Sequence, residues 1–290
     1  EIMSKQNNIY INNYFKEYLK DILILAIPLF IGNLGHTLIG ATDVLVVARY
    51  GINSLAAISI ANSVIFTLFI FGIGLTTAIS IILSNLRGKG ERIKKYLPSV
   101  LIFSFFLSLI FSLLCYFSKY LIPYYGMEET LVPYIEEYTA IVAFSMFGIF
   151  FFEGIKQFLQ AYEIVKVPNF ILFISVFVNI IFDIIFVFGF GIIPSMGSKG
   201  AAIATLSVRL LTGIAMFIYV FKYIDFKNNP DFGFMKHIVK IGLPIGIGLT
   251  LEFLAFNIIT ILIGREASVY AAVHSILITI SSATFMVPMA

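Results

Sequence analysis

The sequence predicts an all-α integral membrane protein, a polytopic helical bundle, and three observations carry that fold class. Of 290 residues, 60% are hydrophobic and only 12% charged, whereas soluble domains run near a quarter charged. A spanning helix needs about 20 predominantly apolar residues, and the chain, whose overall mean hydropathy is +0.99, offers eight such windows. A membrane barrel requires apolar and polar residues to alternate at every second position, and that pattern is absent.

The polar start EIMSKQNNIYINNYFKEYLKD (residues 1–21) has no cleavable-signal pattern and reads as a cytosolic tail entering an interfacial helix. The windows follow at 22–47, 55–84, 97–122, 133–161, 168–193, 200–224, 236–263 and 268–290. Most of the 21 glycines fall inside them, where small residues let helices approach closely. Orientation follows from lysine and arginine placement. One side holds Lys5, Lys16 and Lys20, the loop with Arg87, Lys89, Arg92, Lys94 and Lys95, then Lys166, Lys222, Lys227, Lys236 and Lys240. The alternate loops hold only Arg49, Lys119, Lys199 and Arg265, which predicts a cytoplasmic amino terminus in a cell membrane. Tyr14, Tyr18, Tyr96, Tyr120, Tyr124, Tyr134, Tyr162 and Tyr223 fall at predicted span ends, where aromatic belts form.

An internal repeat divides the chain. LKDILILAIPLF at 19–30 returns as MKHIVKIGLPIG at 235–246, with Pro28 matched by Pro244 at an offset of 216. The register continues through SLAAIS against VYAAVH and Phe69 against Phe285. Residues 22–224 are thus expected to form an amino-terminal lobe of six spans. Residues 225–235 would be a cytosolic inter-lobe loop, and 236–290 the start of a second lobe. Residue 290 corresponds to residue 74, inside the second span, so the chain is expected to be truncated within its eighth helix.

Intramembrane polar residues are functional candidates by default. Asp43 lies late in the first span. Asn179 and Asp183 lie in the fifth, four residues apart and therefore on one helix face. Thr205 opens the sixth span. Two carboxylates, an amide and a hydroxyl form a hard, oxygen-rich set suited to H⁺ or Na⁺ rather than a transition metal. Span five runs outward and span six inward across the short turn GFGIIPSMGSKG, so the four groups are expected at similar depth in one pocket. Arg209 is placed to neutralise one aspartate, and Arg49 is nearer the outer interface. Glu252 in span seven corresponds, at the repeat offset, to His36, which shares a face with Gly40 and Asp43. Glu153 and Lys156 are spaced to pair with each other, with Gln157 and Gln160 on the same helix. Glu128, Glu129, Glu136 and Glu137 form an outer acidic face.

Cys115, the only cysteine, leaves no intramolecular disulfide and no thiolate cluster. No enzyme signature is present: GxSxG, HExxH and Walker loops are absent, and RGKGER reads as a charged turn.

ATDVLVVARYGINSLAAISIAN, VNIIFDIIFVFGFGIIPSMGSKGAAIAT, IGLPIGIGLTLEF and SSATFMVP resemble the multidrug and toxic compound extrusion (MATE) transporters over the whole chain. The resemblance implies a V-shaped, two-lobed, six-plus-six fold that exchanges H⁺ or Na⁺ for amphiphilic cations by alternating access. It implies that Asp43, Asn179, Asp183 and Thr205 form the cation-coupling site, with Glu252 matching the acid of the branch that has a carboxylate in span seven. His36 stands where many relatives have glutamine, and spans nine to twelve are absent. The partners implied are small organic cations and membrane lipid, with no nucleic acid, a monomeric state, and no cofactor beyond the coupling ion. Rival readings are a lipid-linked sugar flippase of the same superfamily, which needs an arginine-lined cavity, a non-transporting truncated membrane protein, and a membrane enzyme.

Overall fold

A computed structural model describes residues 20–266 except 21, 25, 33, 34, 36, 37, 126–128 and 225–227, together with Leu277 and Ser281. The described chain is helical almost throughout. Among the described residues, six helices are long and apolar enough to cross a membrane. Numbered in chain order after the first segment, they are α2 (Ile52–Gly88), α3 (Leu97–Ser118), α4 (Val132–Ala161), α5 (Lys166–Phe188), α6 (Ser198–Phe221) and α7 (Phe232–Glu266).

Of the eight expected spans, six are evident among the described residues. Of the window 22–47, the structure describes the helical stretches Ile22–Gly32 and Leu38–Ala48, with Gly35 helical between them. The second stretch, Leu38–Ala48, is α1 below. The window 268–290 lies outside the described residues apart from Leu277 and Ser281, as do the repeat partners VYAAVH and Phe285.

The boundaries have local causes. Span five was expected to reach 193 but stops at Phe188, because Gly189 turns left-handed (φ 84°) and Phe190 pairs with Ile193 in an antiparallel bridge. A Cβ on Gly189 would also sit 2.8 Å from the Ser195 nitrogen, so no other residue fits this turn without strain. Asp231 caps α7, its Oδ1 accepting from the Phe234 amide at 3.0 Å. Its own amide donates to Ser99 Oγ at 2.8 Å, which ties the starts of α3 and α7 together.

Helix α5 shows which solvent this fold expects. Asn179 and Asp183 are fully buried, whereas Phe177, Ile181 and Ile184 are more than half exposed. Polar side in and apolar side out is the pattern of a helix facing lipid, and Phe106 on α3 and Ile218 on α6 repeat it. The chain is a multi-pass membrane protein.

At the centre stands α4, the most buried of the six. It packs against α2, α3 and α6, while α5 leans on α6 and α7 on α2. Close crossings rest on glycine. A Cβ on Gly148 of α4 would come within 2.3 Å of the Arg209 carbonyl oxygen, so only hydrogen at that position lets α6 approach this near. That contact sets where Arg209 stands.

Candidate cation site

Three helices, α1, α5 and α6, bring the oxygen-rich set together. Thr205 Oγ1 of α6 donates to Asp43 Oδ2 of α1 at 2.7 Å, a bond joining residues 162 positions apart. From α5, the Asp183 carboxyl faces that of Asp43 within hydrogen-bonding reach, and the Asn179 amide lies beside them. The Thr42 hydroxyl is 3.1 Å from Asn179 Oδ1 and 2.8 Å from the Ile39 carbonyl oxygen, which fastens α1 to α5 one residue from Asp43. Asp43, Asn179, Asp183 and Thr205 are all buried, at 3% exposure or less. The structure therefore places all four in one cluster.

The cluster is under-satisfied. Asp43 Oδ1, both oxygens of Asp183 and Asn179 Nδ2 have no hydrogen-bond partner among the described residues. Two like charges about 4 Å apart repel by roughly 4 kcal/mol at an effective dielectric of about 20. A carboxylate offers its twin only lone pairs. Both objections vanish together when one cation, H⁺ or Na⁺, sits between the acids.

Above the cluster lies a cavity of about 390 Å³. Asp43 and Thr205 line it, whereas Asn179 and Asp183 do not, so Asp43 belongs to both the buried cluster and the open space. Its polar wall continues through Tyr138, Asn62 and Arg209, and Phe66, Phe69 and Phe253 form an apolar wall. The Tyr138 hydroxyl donates to Asn62 Oδ1 at 3.3 Å.

The other expected residues fall elsewhere. Glu252 on α7 is exposed and does not line the cavity; its neighbour Phe253 does, with its ring 5.2 Å from that of Phe66. His36 lies outside the described residues. No salt bridge joins Arg49 to Asp43. Arg209 lines the cavity, but its Nη1 donates to Ser145 Oγ at 3.0 Å and it forms no ion pair with either aspartate. Lys156 Nζ donates to Glu153 Oε1 at 3.2 Å, a buried pair within α4. Of the outer acidic face, Glu137 is bound by Lys199 at 2.6 Å.

Sequence reading missed Thr42, Asn62, Tyr138 and Ser145. One signal was available: Ser59, Asn62 and Ser63 follow the three-and-four spacing of one helix face, and all three line the cavity. Tyr138 gave no such signal, because its partner lies 76 residues away.

Known proteins repeat this arrangement of helices. The MatE family model matches residues 28–185. The multidrug resistance protein NorM of Photobacterium profundum is 28% identical over 96% of this chain and 63% of its own length. A probable multidrug resistance protein NorM of Rhizobium meliloti is 24% identical over 96% and 62%. Among solved structures, a MOP superfamily transporter from Pyrococcus furiosus matches with a TM-score of 0.78 at 23% identity, over 92% of this chain and 60% of that one. The present chain thus spans somewhat under two thirds of the length of these relatives. With more than half of its residues covered by the family model, the chain belongs to the MatE family.

Proposed function

We propose that the protein containing this chain is a secondary active efflux transporter that exchanges H⁺ or Na⁺ for amphiphilic organic cations by alternating access. One observation carries the reading: two buried carboxylates, Asp43 and Asp183, face each other with three oxygens unpartnered, directly beneath a cavity that one of them also lines. A group whose charge is tolerable only with a bound cation, and which touches the substrate space, can couple ion occupancy to substrate occupancy.

In the ion-loaded state, one H⁺ or Na⁺ relieves both acids, with Thr205 and Asn179 completing the oxygen shell. In the ion-free state, Asp43 presents negative charge to the cavity and attracts a cationic amphiphile, whose rings lie against Phe66, Phe69 and Phe253. Residues 22–224 form the first of two lobes in this reading, α7 begins the second, and the amino terminus is cytoplasmic, as the lysine distribution implies. The names NorM and multidrug resistance on the relatives support drug-like cargo.

A flippase for lipid-linked sugars would need several arginines around the cavity, and Arg209 is the only one lining it among the described residues. The test is efflux of a fluorescent organic cation from proteoliposomes containing the full-length gene product, with an H⁺ or a Na⁺ gradient imposed separately. One gradient should drive uphill transport in the wild type and fail in Asp43→Asn. Equal transport in both proteins, or none under either gradient, would contradict the reading.

A further inference from the structure

A second cavity lies apart from the cation site and shares no lining residue with it. It opens between the end of α2 and the start of α7. The same end of the bundle carries Arg87, Lys89, Arg92, Lys94 and Lys95 after α2, and Lys236 and Lys240 in the first turns of α7. The two helices touch at their crossing, where a Cβ on Gly242 would stand 2.8 Å from the Leu75 Cα. Past that crossing the residues between them are large, and a space of about 420 Å³ opens. That size falls within the roughly 300–1,000 Å³ of small-molecule sites. Positions 81, 82, 85 and 89 of α2 and positions 237 and 241 of α7 line it, each set on one helix face. The stacked rings of Tyr96 and Phe234, with centroids 4.5 Å apart, line it as well.

The lining is amphipathic along the helix axes. Nearer the middle of the bundle it is Ile81, Ile82 and Ile241, and Ile81 is 47% exposed, so the apolar wall continues onto the lipid-facing surface. Nearer the helix ends it is Asn85, Lys89 and His237, all exposed. Neither Lys89 nor His237 has an ion pair or a side-chain hydrogen bond among the described residues. The lysine brings three donors, and imidazole donates an N–H in either protonation state. Asp231 is the one carboxylate on the wall, and its Oδ1 already accepts from the Phe234 amide. An apolar track leading in from lipid and ending at a cationic rim has the polarity of a phospholipid, with acyl chain below and phosphate above. We infer that this cavity binds an anionic phospholipid, its phosphate held by Lys89, His237 and Asn85. Asp231 Oδ2 accepts from a headgroup hydroxyl, which selects a glycerol-type head over choline. The bound lipid bridges α2 and α7, and its binding requires neither an ion gradient nor cargo.

Native mass spectrometry of the purified full-length protein in detergent tests this by counting the lipids that stay bound. The protein is titrated with phosphatidylglycerol and, separately, with phosphatidylcholine of the same chain length. Wild type should bind one phosphatidylglycerol about tenfold tighter than phosphatidylcholine, the scale of one charge-assisted contact. Lys89→Ala and His237→Ala should each remove most of that preference, whereas Lys89→Arg should keep it. Lys236→Ala removes the same charge one residue from His237 but off the cavity wall. It should leave the preference within about twofold, as loss of a solvated surface charge does. Equal binding of both lipids by wild type would overturn the assignment, and that result needs no folded variant. Equal losses in Lys89→Ala and Lys236→Ala would overturn it too, since they would mean attraction to a basic surface rather than a site. Complete displacement of phosphatidylglycerol by excess inorganic phosphate or glycerol 3-phosphate would assign the cavity to a soluble phosphate and overturn the lipid.

Discussion

Two buried charged clusters lie in this bundle, and they are built on opposite principles. On α4, Lys156 and Glu153 stand three residues apart, bonded at 3.2 Å, each with its charge answered by the other. Between α1 and α5, Asp43 and Asp183 carry the same charge, and three of their four oxygens have no donor among the described residues. The first pair is complete within the protein. In the proposed reading, the second is completed by an exchangeable cation. Burial of charge alone therefore does not mark a working site in a membrane helix; the sign of the partner does.

The sharpest way to break that contrast is to remove one member of each pair. Lys156→Met should destabilise the full-length protein by about 3–5 kcal/mol, because it removes the opposite charge bonded to buried Glu153. The double variant Glu153→Gln with Lys156→Met should recover most of that loss, as both charges leave together. Asp183→Asn should do the opposite, keeping or raising the thermal midpoint in detergent while abolishing ion-coupled efflux. A midpoint that falls as far in Asp183→Asn as in Lys156→Met would mean that the two clusters are alike.

Next in size is the crossing that positions Arg209. Gly148→Ala puts a methyl group where the Arg209 carbonyl stands, and overpacking of this kind costs about 1–3 kcal/mol. Thermal stability should drop accordingly. Retained stability would show that α4 and α6 approach less closely than the structure has them. The smallest effect belongs to Thr205→Val, which deletes one hydrogen bond to Asp43 and should cost about 1 kcal/mol, read as a several-fold rise in the ion concentration needed for half-maximal transport.

Much of this was legible in the sequence because membrane physics writes it plainly. A long apolar run predicts a helix, and six of the expected windows became α2 to α7 within a few residues at most ends. Asn179 and Asp183 stood out because a spacing of four puts two polar groups on one face of an otherwise apolar helix, as the buried side of α5 shows. The early end of α5 was less visible: the apolar residues of GFGII continue the hydropathy of the helix, and only the left-handed Gly189 stops it. The partner of Arg209 was misjudged for a different reason. From the sequence the aspartates looked like its natural counterions, but Ser145, 64 residues away, holds it, and only the α4–α6 crossing at Gly148 reveals that.

The central claim is that Asp43 and Asp183 together hold one exchangeable cation. The most direct measurement is the stoichiometry of ion binding to the purified full-length protein, with proton release in weak buffer followed on addition of Na⁺ and ²²Na⁺ binding counted in parallel. Since the second lobe can add sites of its own, the comparison between wild type and variants carries the test. The account predicts that Asp43→Asn and Asp183→Asn each lose one and the same cation, and that the double variant loses no more than either alone. Wild-type stoichiometry in both single variants, or two cations lost in the double variant, would contradict it.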